Sequence, residues 1–124
     1  MILWLSTCGD PRLWNRLGAT LANGDRTAEA VSAYREALSR YPAYVRARFN
    51  LGISCMHLAS HREAVEHFVM ALELQKGEKQ TSSIWNTMRS AILRLPLGMG
   101  DDILRAADTR DVLQVRQALE RVSS

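Results

Sequence analysis

A repeat of 34 residues constrains this chain more than any other feature, because self-similarity at a fixed period dictates an architecture. Leu17 and Gly18 recur as Leu51 and Gly52 at this offset, with no gap. Further matches at the same offset are Ala30 with Ala64, Val31 with Val65, Tyr34 with Phe68, Ala37 with Ala71 and Leu38 with Leu72. The chain therefore contains two copies of one structural unit, and each copy must stack on its neighbour to bury its apolar face.

The repeated residues fit the tetratricopeptide pattern, in which each repeat is a pair of antiparallel helices. Small residues such as Gly18 and Ala30 let two helices approach closely, and larger residues such as Leu17 and Tyr34 fill the space beside them. The residues that match the pattern are Trp14, Leu17, Gly18, Ala30, Tyr34, Ala37 and Pro42. The sequence predicts an all-α solenoid of two helix-pair repeats, residues 11–44 and 45–78.

Turn and cap signals place the helices along the chain. Asn23-Gly24-Asp25 predicts a turn, and Pro42 predicts the end of the second helix. The polar run 76–81 predicts a loop, and residues 1–10 a short irregular N-terminal segment. The region 79–124 lacks the period, so we predict a C-terminal helical bundle that caps the solenoid. The predicted helices cover about 11–23, 27–40, 45–58, 61–75, 82–95, 101–107 and 111–121.

Composition limits the classes of partner and cofactor that we expect for this chain. The net charge of +3 comes without a dense basic run, so we expect no nucleic acid partner, whereas a small anion such as a carboxylate would suit it. Cys8 and Cys55 lack neighbours at ligand spacing, so we expect no disulfide framework, no metal and no cofactor. The apolar start 1–5 is too short for a signal peptide, and no run is long enough for a transmembrane helix. We therefore expect a soluble intracellular protein.

The number of repeats and the reactive side chains give two further expectations. About three repeats are usually needed for stability, so two repeats favour a fragment or an alternative product of a longer array. His57, His61 and His67 form no metal-binding helix motif, and Cys55 falls on a core face. We expect a binding protein with no catalytic residue.

A polar stripe follows the first helix of each pair. Arg46, Asn50 and His57 fall on one face when a helix advances about 100° per residue, and Leu51 and Cys55 fall on the other. In the first repeat Arg12, Arg16, Ala19 and Asn23 cluster likewise, with Asn15 at the flank, while Trp14, Leu17, Gly18 and Leu21 face the core. In a tetratricopeptide solenoid the first helices line the concave groove, so the stripe predicts a groove that binds peptides. The alternative is that these side chains only solvate an exposed helix face.

Several segments together resemble one family of tetratricopeptide proteins. Residues 13–24 read Leu-Trp-Asn-Arg-Leu-Gly-Ala-Thr-Leu-Ala-Asn-Gly, and residues 50–55 read Asn-Leu-Gly-Ile-Ser-Cys. His-Arg-Glu-Ala-Val-Glu-His-Phe at 61–68, Ile-Trp-Asn-Thr-Met-Arg at 84–89 and Ala-Ala-Asp-Thr-Arg-Asp at 106–111 continue the match. Over roughly residues 11–113 the chain resembles the C-terminal repeat region of the peroxisomal import receptors that read the type 1 targeting signal.

The resemblance implies a role for each residue of the stripe. Asn15 and Asn50 would hydrogen-bond the backbone of a cargo peptide ending in a Ser-Lys-Leu-like tripeptide. Arg16 and Arg46 would meet its terminal carboxylate, and Ala19 would lie beside the pocket for the leucine. The family usually has Lys at the position of Arg16. His57 stands where the family usually has Asn, and a neutral imidazole can still donate and accept one hydrogen bond each.

The resemblance also implies a cellular setting and leaves alternatives. The family binds cargo in the cytoplasm, cycles to the peroxisome and docks there through an N-terminal region that has no counterpart in these residues. One alternative is a generic tetratricopeptide adaptor or co-chaperone that grips acidic peptides ending in Glu-Glu-Val-Asp. Another is a neuronal relative of the receptor that binds the C-termini of channels.

Overall fold

A computed structural model describes residues 9–75 and 82–123, and the side chains of Ser82 and Ser123 are outside the description. The predicted loop 76–81 and residues 1–8 of the predicted N-terminal segment also lie outside the described residues. All regular structure in the described ranges is α-helical: α1 Pro11–Asn23, α2 Thr27–Arg40, α3 Val45–His57, α4 His61–Leu74, α5 Ser82–Leu93, α6 Asp101–Asp108 and α7 Val112–Ser123. The fold is an all-α tetratricopeptide solenoid, as predicted, and each helix boundary agrees with the sequence to within about two residues.

Local chemistry explains where the first helix begins and ends. The carboxylate of Asp10 accepts a hydrogen bond of 2.9 Å from the backbone N–H of Arg12, and Pro11 occupies the first turn, where its missing N–H costs nothing. Asp25, rather than Gly24, carries the left-handed backbone of the turn, with φ of 61°. Ala59 has φ of 62° at the same place in the second repeat, so the turn geometry recurs together with the helices.

Close approach of two helices defines each repeat. A Cβ atom added to Gly18 would lie 2.5 Å from Cε1 of Tyr34, and one added to Gly52 would lie 2.5 Å from Cε1 of Phe68. Each glycine therefore lets an aromatic ring of the second helix lie against the backbone of the first. This contact gives the physical reason why glycine and a large aromatic ring recur together at the 34-residue period.

The repeats stack through the second helix of one pair and the first helix of the next. α2 packs along α3, and α4 packs along α5. Leu51 of α3 is only 1% exposed because it is enclosed in this stack. Leu17, its counterpart in α1, is 44% exposed, so the expectation that Leu17 fills the core is wrong. No helix among the described residues precedes α1 to cover Leu17.

The helix α5 takes the place of a first helix in a third pair. It lies against α4 as α3 lies against α2, and it touches α3 lightly, as α3 touches α1. Counted from the start of each helix, Trp85 and Met88 occupy the positions of Arg48 and Leu51. Met88 is fully buried, as Leu51 is. After α5 the pattern changes, because the short α6 packs against α7 rather than completing a third repeat of standard length.

The last helix returns to the solenoid. Arg116 of α7 donates hydrogen bonds to both carboxylate oxygens of Glu73 in α4, at 2.6 and 3.3 Å. This ion pair raises the pKa of the Arg116 guanidinium, and Val115 and Leu119 of the same helix are buried in the core. α7 is thereby fixed to the second repeat. Within the described residues, no helix is both long enough and apolar enough to cross a membrane.

Candidate functional site

Two asparagines join the first helices of the two repeats. Nδ2 of Asn50 in α3 donates a hydrogen bond of 3.1 Å to Oδ1 of Asn15 in α1. Asn15 is only 8% exposed, and Asn50 is half-buried. The bond uses one donor and one acceptor, and a side-chain amide offers more of both. The pair therefore holds two amides in a fixed orientation at the junction of the repeats, where an extended backbone could exchange hydrogen bonds with them.

The other residues of the predicted stripe differ in their exposure and in how near they lie to this amide pair along the helices. Arg16 is adjacent to Asn15 in α1, and Ala19 follows one turn later; Arg16 is exposed and Ala19 half-buried. Arg46 is the second residue of α3, one turn before Asn50, and is exposed. Its side chain lines an open pocket of about 350 Å³, together with Val45, Phe49, Gln75, Ser83 and Ile84.

His57 does not join the amide pair. It is exposed at the end of α3, about two helical turns beyond Asn50. It lines a second open pocket of about 400 Å³, together with Ile53, Met56, Asn86, Thr87, Ser90 and Arg94. The structure thus separates the six predicted site residues into a group around the amide pair and a single residue at the far end of α3.

Both pockets extend from α3 to α5, a wall that the sequence interpretation did not include. Ser83, Asn86 and Ser90 of α5 line them at spacings of three and four residues and share one helical face, and Arg94, directly after the helix, follows four residues later. The same spacing is legible in the sequence and could have identified this wall. It was missed because α5 begins at Ser82, later than a third 34-residue repeat, which would begin near Lys79.

Charge is segregated between inner and outer helices. None of the helices α1, α3 and α5, which follow one another along the predicted groove, contains an Asp or a Glu. The outer helices α2 and α4 contain all five acidic residues of the two helix pairs: Glu29, Glu36, Glu63, Glu66 and Glu73. The groove is therefore basic although the whole chain carries only a small net charge. Such a groove favours an anionic ligand, in particular a carboxylate that arginine can bind through two hydrogen bonds.

One cluster outside the groove contains metal-ligand residue types. The ligand atoms of Cys55, Glu63 and His67 lie within 4.8 Å of one another. However, Arg35 donates to the Glu63 carboxylate at 3.0 Å, and Nη1 of Arg48 lies 3.5 Å from Nδ1 of His67. These two guanidinium groups oppose the binding of a cation. Burial also raises the pKa of the Cys55 thiol to about 11, so it is protonated and unreactive near neutrality.

Comparison with known proteins agrees with this architecture. A tetratricopeptide repeat family model matches residues 11–54. The peroxisomal targeting signal receptor of Candida albicans is 41% identical over 96 residues, which are 69% of this chain and 16% of that protein. The protein of the same name from Yarrowia lipolytica is 39% identical over 121 residues, or 90% of this chain and 20% of that protein. The one from Saccharomyces cerevisiae is 36% identical over 108 residues, or 77% and 17%.

The chain spans about a sixth to a fifth of the length of these relatives. The match is therefore to one region of a longer receptor. That region includes the helix pairs that present the amide pair and the basic groove. The chain belongs with the peroxisomal targeting signal receptors and shares with them a tetratricopeptide repeat region.

Proposed function

We propose that this chain is the peptide-binding region of a peroxisomal import receptor and that its groove binds cargo proteins by a free C-terminal Ser-Lys-Leu-type tripeptide. Cargo would be captured in the cytoplasm and carried to the peroxisome, with docking through receptor regions beyond these residues. The chain would act by binding alone and would need no cofactor. The observation that carries this proposal is the Asn15–Asn50 amide pair at the junction of α1 and α3, set in helices without any acidic residue.

The five predicted residues around the amide pair each have a role that suits their position. Asn15 and Asn50 would exchange hydrogen bonds with the peptide backbone, because amides both donate and accept. Arg16 and Arg46 flank the amide pair along the sequence and are exposed, so their guanidinium groups can reach a terminal carboxylate. Ala19 is small and half-buried, which leaves room beside it for the leucine side chain.

A second candidate is a co-chaperone type of adaptor, which the basic groove also favours. Such a groove would hold an acidic peptide ending in Glu-Glu-Val-Asp by the same terminal carboxylate. The two candidates differ in side-chain preference, since the second requires several carboxylates and the first requires a leucine pocket. Competition between unlabelled peptides of the two types therefore separates them.

The direct test is fluorescence anisotropy with a labelled peptide ending in Ser-Lys-Leu. We expect saturable binding that weakens by at least about tenfold when the C-terminus is amidated, because charge-assisted hydrogen bonds to the carboxylate are lost. Asn50→Ala should weaken binding by about tenfold through loss of a backbone contact and of the bond to Asn15.

The matched control is Gln117→Ala, which removes an exposed amide from α7 far from the groove. Its affinity for the peptide should equal that of the unaltered chain. Circular dichroism of each variant separates loss of binding from loss of helix. Equal affinity for the free-acid and amidated peptides would contradict the proposed function.

A further inference from the structure

The groove does not end at α3, because α5 presents a polar face to it. Ser83, Asn86, Ser90 and Arg94 line the two pockets between α3 and α5. The N-terminal ends of the two helices share one pocket, and their C-terminal ends share the other, so the helices run in the same direction along the groove. The face of α5 is thus a third wall, in line with α3 and with the wall that the sequence predicts on α1.

The helices share a common register as well as a direction. Arg94 directly follows the last residue of α5, at the thirteenth position counted from the start of that helix, where α3 has its last residue His57 and α1 has its last residue Asn23. Ser90 likewise corresponds to Ile53 and Ala19. The wall of α5 therefore repeats the groove-facing positions of the first two helices, although the sequence period has been lost.

Arg94 brings a positive charge to a pocket that has no negative one. Its guanidinium group donates a hydrogen bond of 2.9 Å through Nη1 to the backbone carbonyl of Ser90 near the end of α5. None of the seven residues that line the pocket is acidic, and His57 is the residue of α3 closest in register to Arg94. Asn86 and Thr87 add polar groups that can complete the coordination of an anion, whereas the hydroxyl of Ser90 donates to the backbone carbonyl of Asn86 at 3.4 Å.

We propose that the pocket between His57 and Arg94 is a second anion subsite, which binds an acidic side chain of the cargo peptide upstream of its C-terminal tripeptide. This inference rests on the proposed function, since it assigns to the same groove a further element of specificity. The ligand is a Glu or Asp side chain of an extended peptide. The first subsite binds the terminal carboxylate near Arg16 and Arg46, and the second binds a carboxylate of the peptide chain.

The length of α3 sets the spacing between the two carboxylates. Arg46 and His57 are eleven positions apart on α3, which at 1.5 Å per residue corresponds to about 16 Å. An extended peptide advances about 3.3 Å per residue, so about five residues span that distance. The acidic residue should therefore lie about four to six positions before the C-terminus.

A competing role for Arg94 comes from the outer side of α5. Arg94 also lines a larger open pocket of about 760 Å³ that includes Glu63 and Glu66. Within the described residues no carboxylate lies within 4.0 Å of the Arg94 guanidinium, so no ion pair there occupies it. If Arg94 interacts only with this outer pocket, its replacement changes the stability of the chain and does not change the preference for an acidic peptide.

The test uses labelled ten-residue peptides that end in Ser-Lys-Leu with a free carboxylate. In one series a single Glu is moved through the positions four to seven residues before the C-terminus, and Gln replaces it in the matched series. The measured quantity is the ratio of the two dissociation constants at each position. For the unaltered chain we expect Glu to bind about threefold to fivefold tighter than Gln at one position, as for an exposed ion pair, and the advantage should shrink with added salt.

Variants of Arg94 decide whether this residue is responsible. Arg94→Gln should bring the Glu-to-Gln ratio to one, and Arg94→Glu should make a peptide with Lys at that position bind tighter than one with Glu. The control is Arg105→Gln in α6, which removes an exposed arginine paired with Asp102 of its own helix and should keep the preference. Melting temperatures of all variants show whether each is folded.

The possible results distinguish the two proposals. Binding that needs the free C-terminus but shows a ratio of one at every position overturns the second subsite and leaves the proposed function standing. A Glu preference that survives Arg94→Gln overturns the assignment to this pocket. Failure of all these peptides to bind overturns the proposed function together with the subsite that rests on it.

Discussion

The two repeats have nearly the same sequence pattern, but equivalent apolar side chains are not buried to the same degree in both. Leu51 in the second repeat is 1% exposed, whereas Leu17 at the same place in the first is 44% exposed. The helix pairs themselves are alike, since Tyr34 and Phe68 pack in the same way against Gly18 and Gly52. The difference therefore arises from the neighbours in the stack. Burial within a pair is decided by the repeat itself, and burial between pairs is decided by the next repeat.

Truncation of Leu17 and Leu51 should give the largest difference in stability between the two repeats. Leu51→Ala removes a fully enclosed side chain and leaves a cavity, so we expect it to lower the free energy of unfolding by about 2–5 kcal/mol. Leu17→Ala removes a half-exposed side chain and should cost less than about 1 kcal/mol. Urea denaturation of both variants measures the difference. Equal costs would mean that Leu17 is covered in solution, and the contrast between the repeats would then be lost.

Substitution of the two glycines should lower stability equally in both repeats, because their contacts lie within a helix pair. Gly18→Ala and Gly52→Ala each place a methyl group against an aromatic ring, and such overpacking costs about 1–3 kcal/mol. We expect similar losses at the two positions. Gly24→Ala is the matched control, since its nearest neighbour atom would be 3.6 Å from the new methyl group and its φ is −95°. Thermal unfolding should show little change for that variant, and a large difference between the first two would contradict the equivalence of the pairs.

These positions also indicate how far the sequence could predict the structure. The 34-residue period predicted the helix pairs, and the groove face followed from the spacing of residues such as Asn50. Exposure of Leu17 could not be read from the pattern, because a repeat motif carries no information about its neighbours. The Asn15–Asn50 bond depends on the distance between two helices, which no single-helix pattern supplies. The domain boundaries at residues 45 and 79 and the binding roles of the six site residues stay predictions.

The third wall of the groove was missed for a related reason. The connection between α4 and α5 is longer than a strict repeat allows, so the 34-residue offset no longer aligns Trp85 and Met88 with their counterparts. When positions are counted from the start of the helix, Trp85 and Met88 align with residues of α3, and Met88 is buried as Leu51 is. Periodicity along the chain is therefore a stricter condition than periodicity in space, because loops can lengthen without disturbing the stack.

The smallest expected difference between the repeats concerns pH and a polar pair found only in the second one. Arg48 and His67 occupy the positions of Trp14 and Ala33, and Nη1 of Arg48 lies 3.5 Å from Nδ1 of His67. Burial, followed by the Arg48 charge, lowers the pKa of His67 below its usual value of 6.5, against an opposing contribution from Glu63 and with a further lowering by Arg35. The folded chain therefore holds a neutral imidazole, whose Nδ1 can accept from the guanidinium group.

Stability should consequently decrease as the pH falls below about 6.5, because the unfolded chain then binds a proton that folded His67 binds less readily. The stabilisation is complete above that pH and is lost progressively as the pH approaches the lowered pKa of the folded state. Chemical denaturation between about pH 5 and pH 8 measures the slope. The variant His67→Ala restores the residue type of the first repeat and should flatten the slope, since it removes the histidine whose pKa the fold lowers. A slope that is unchanged in this variant would assign the pH dependence to other groups and would leave the polar pair without a measurable effect on stability.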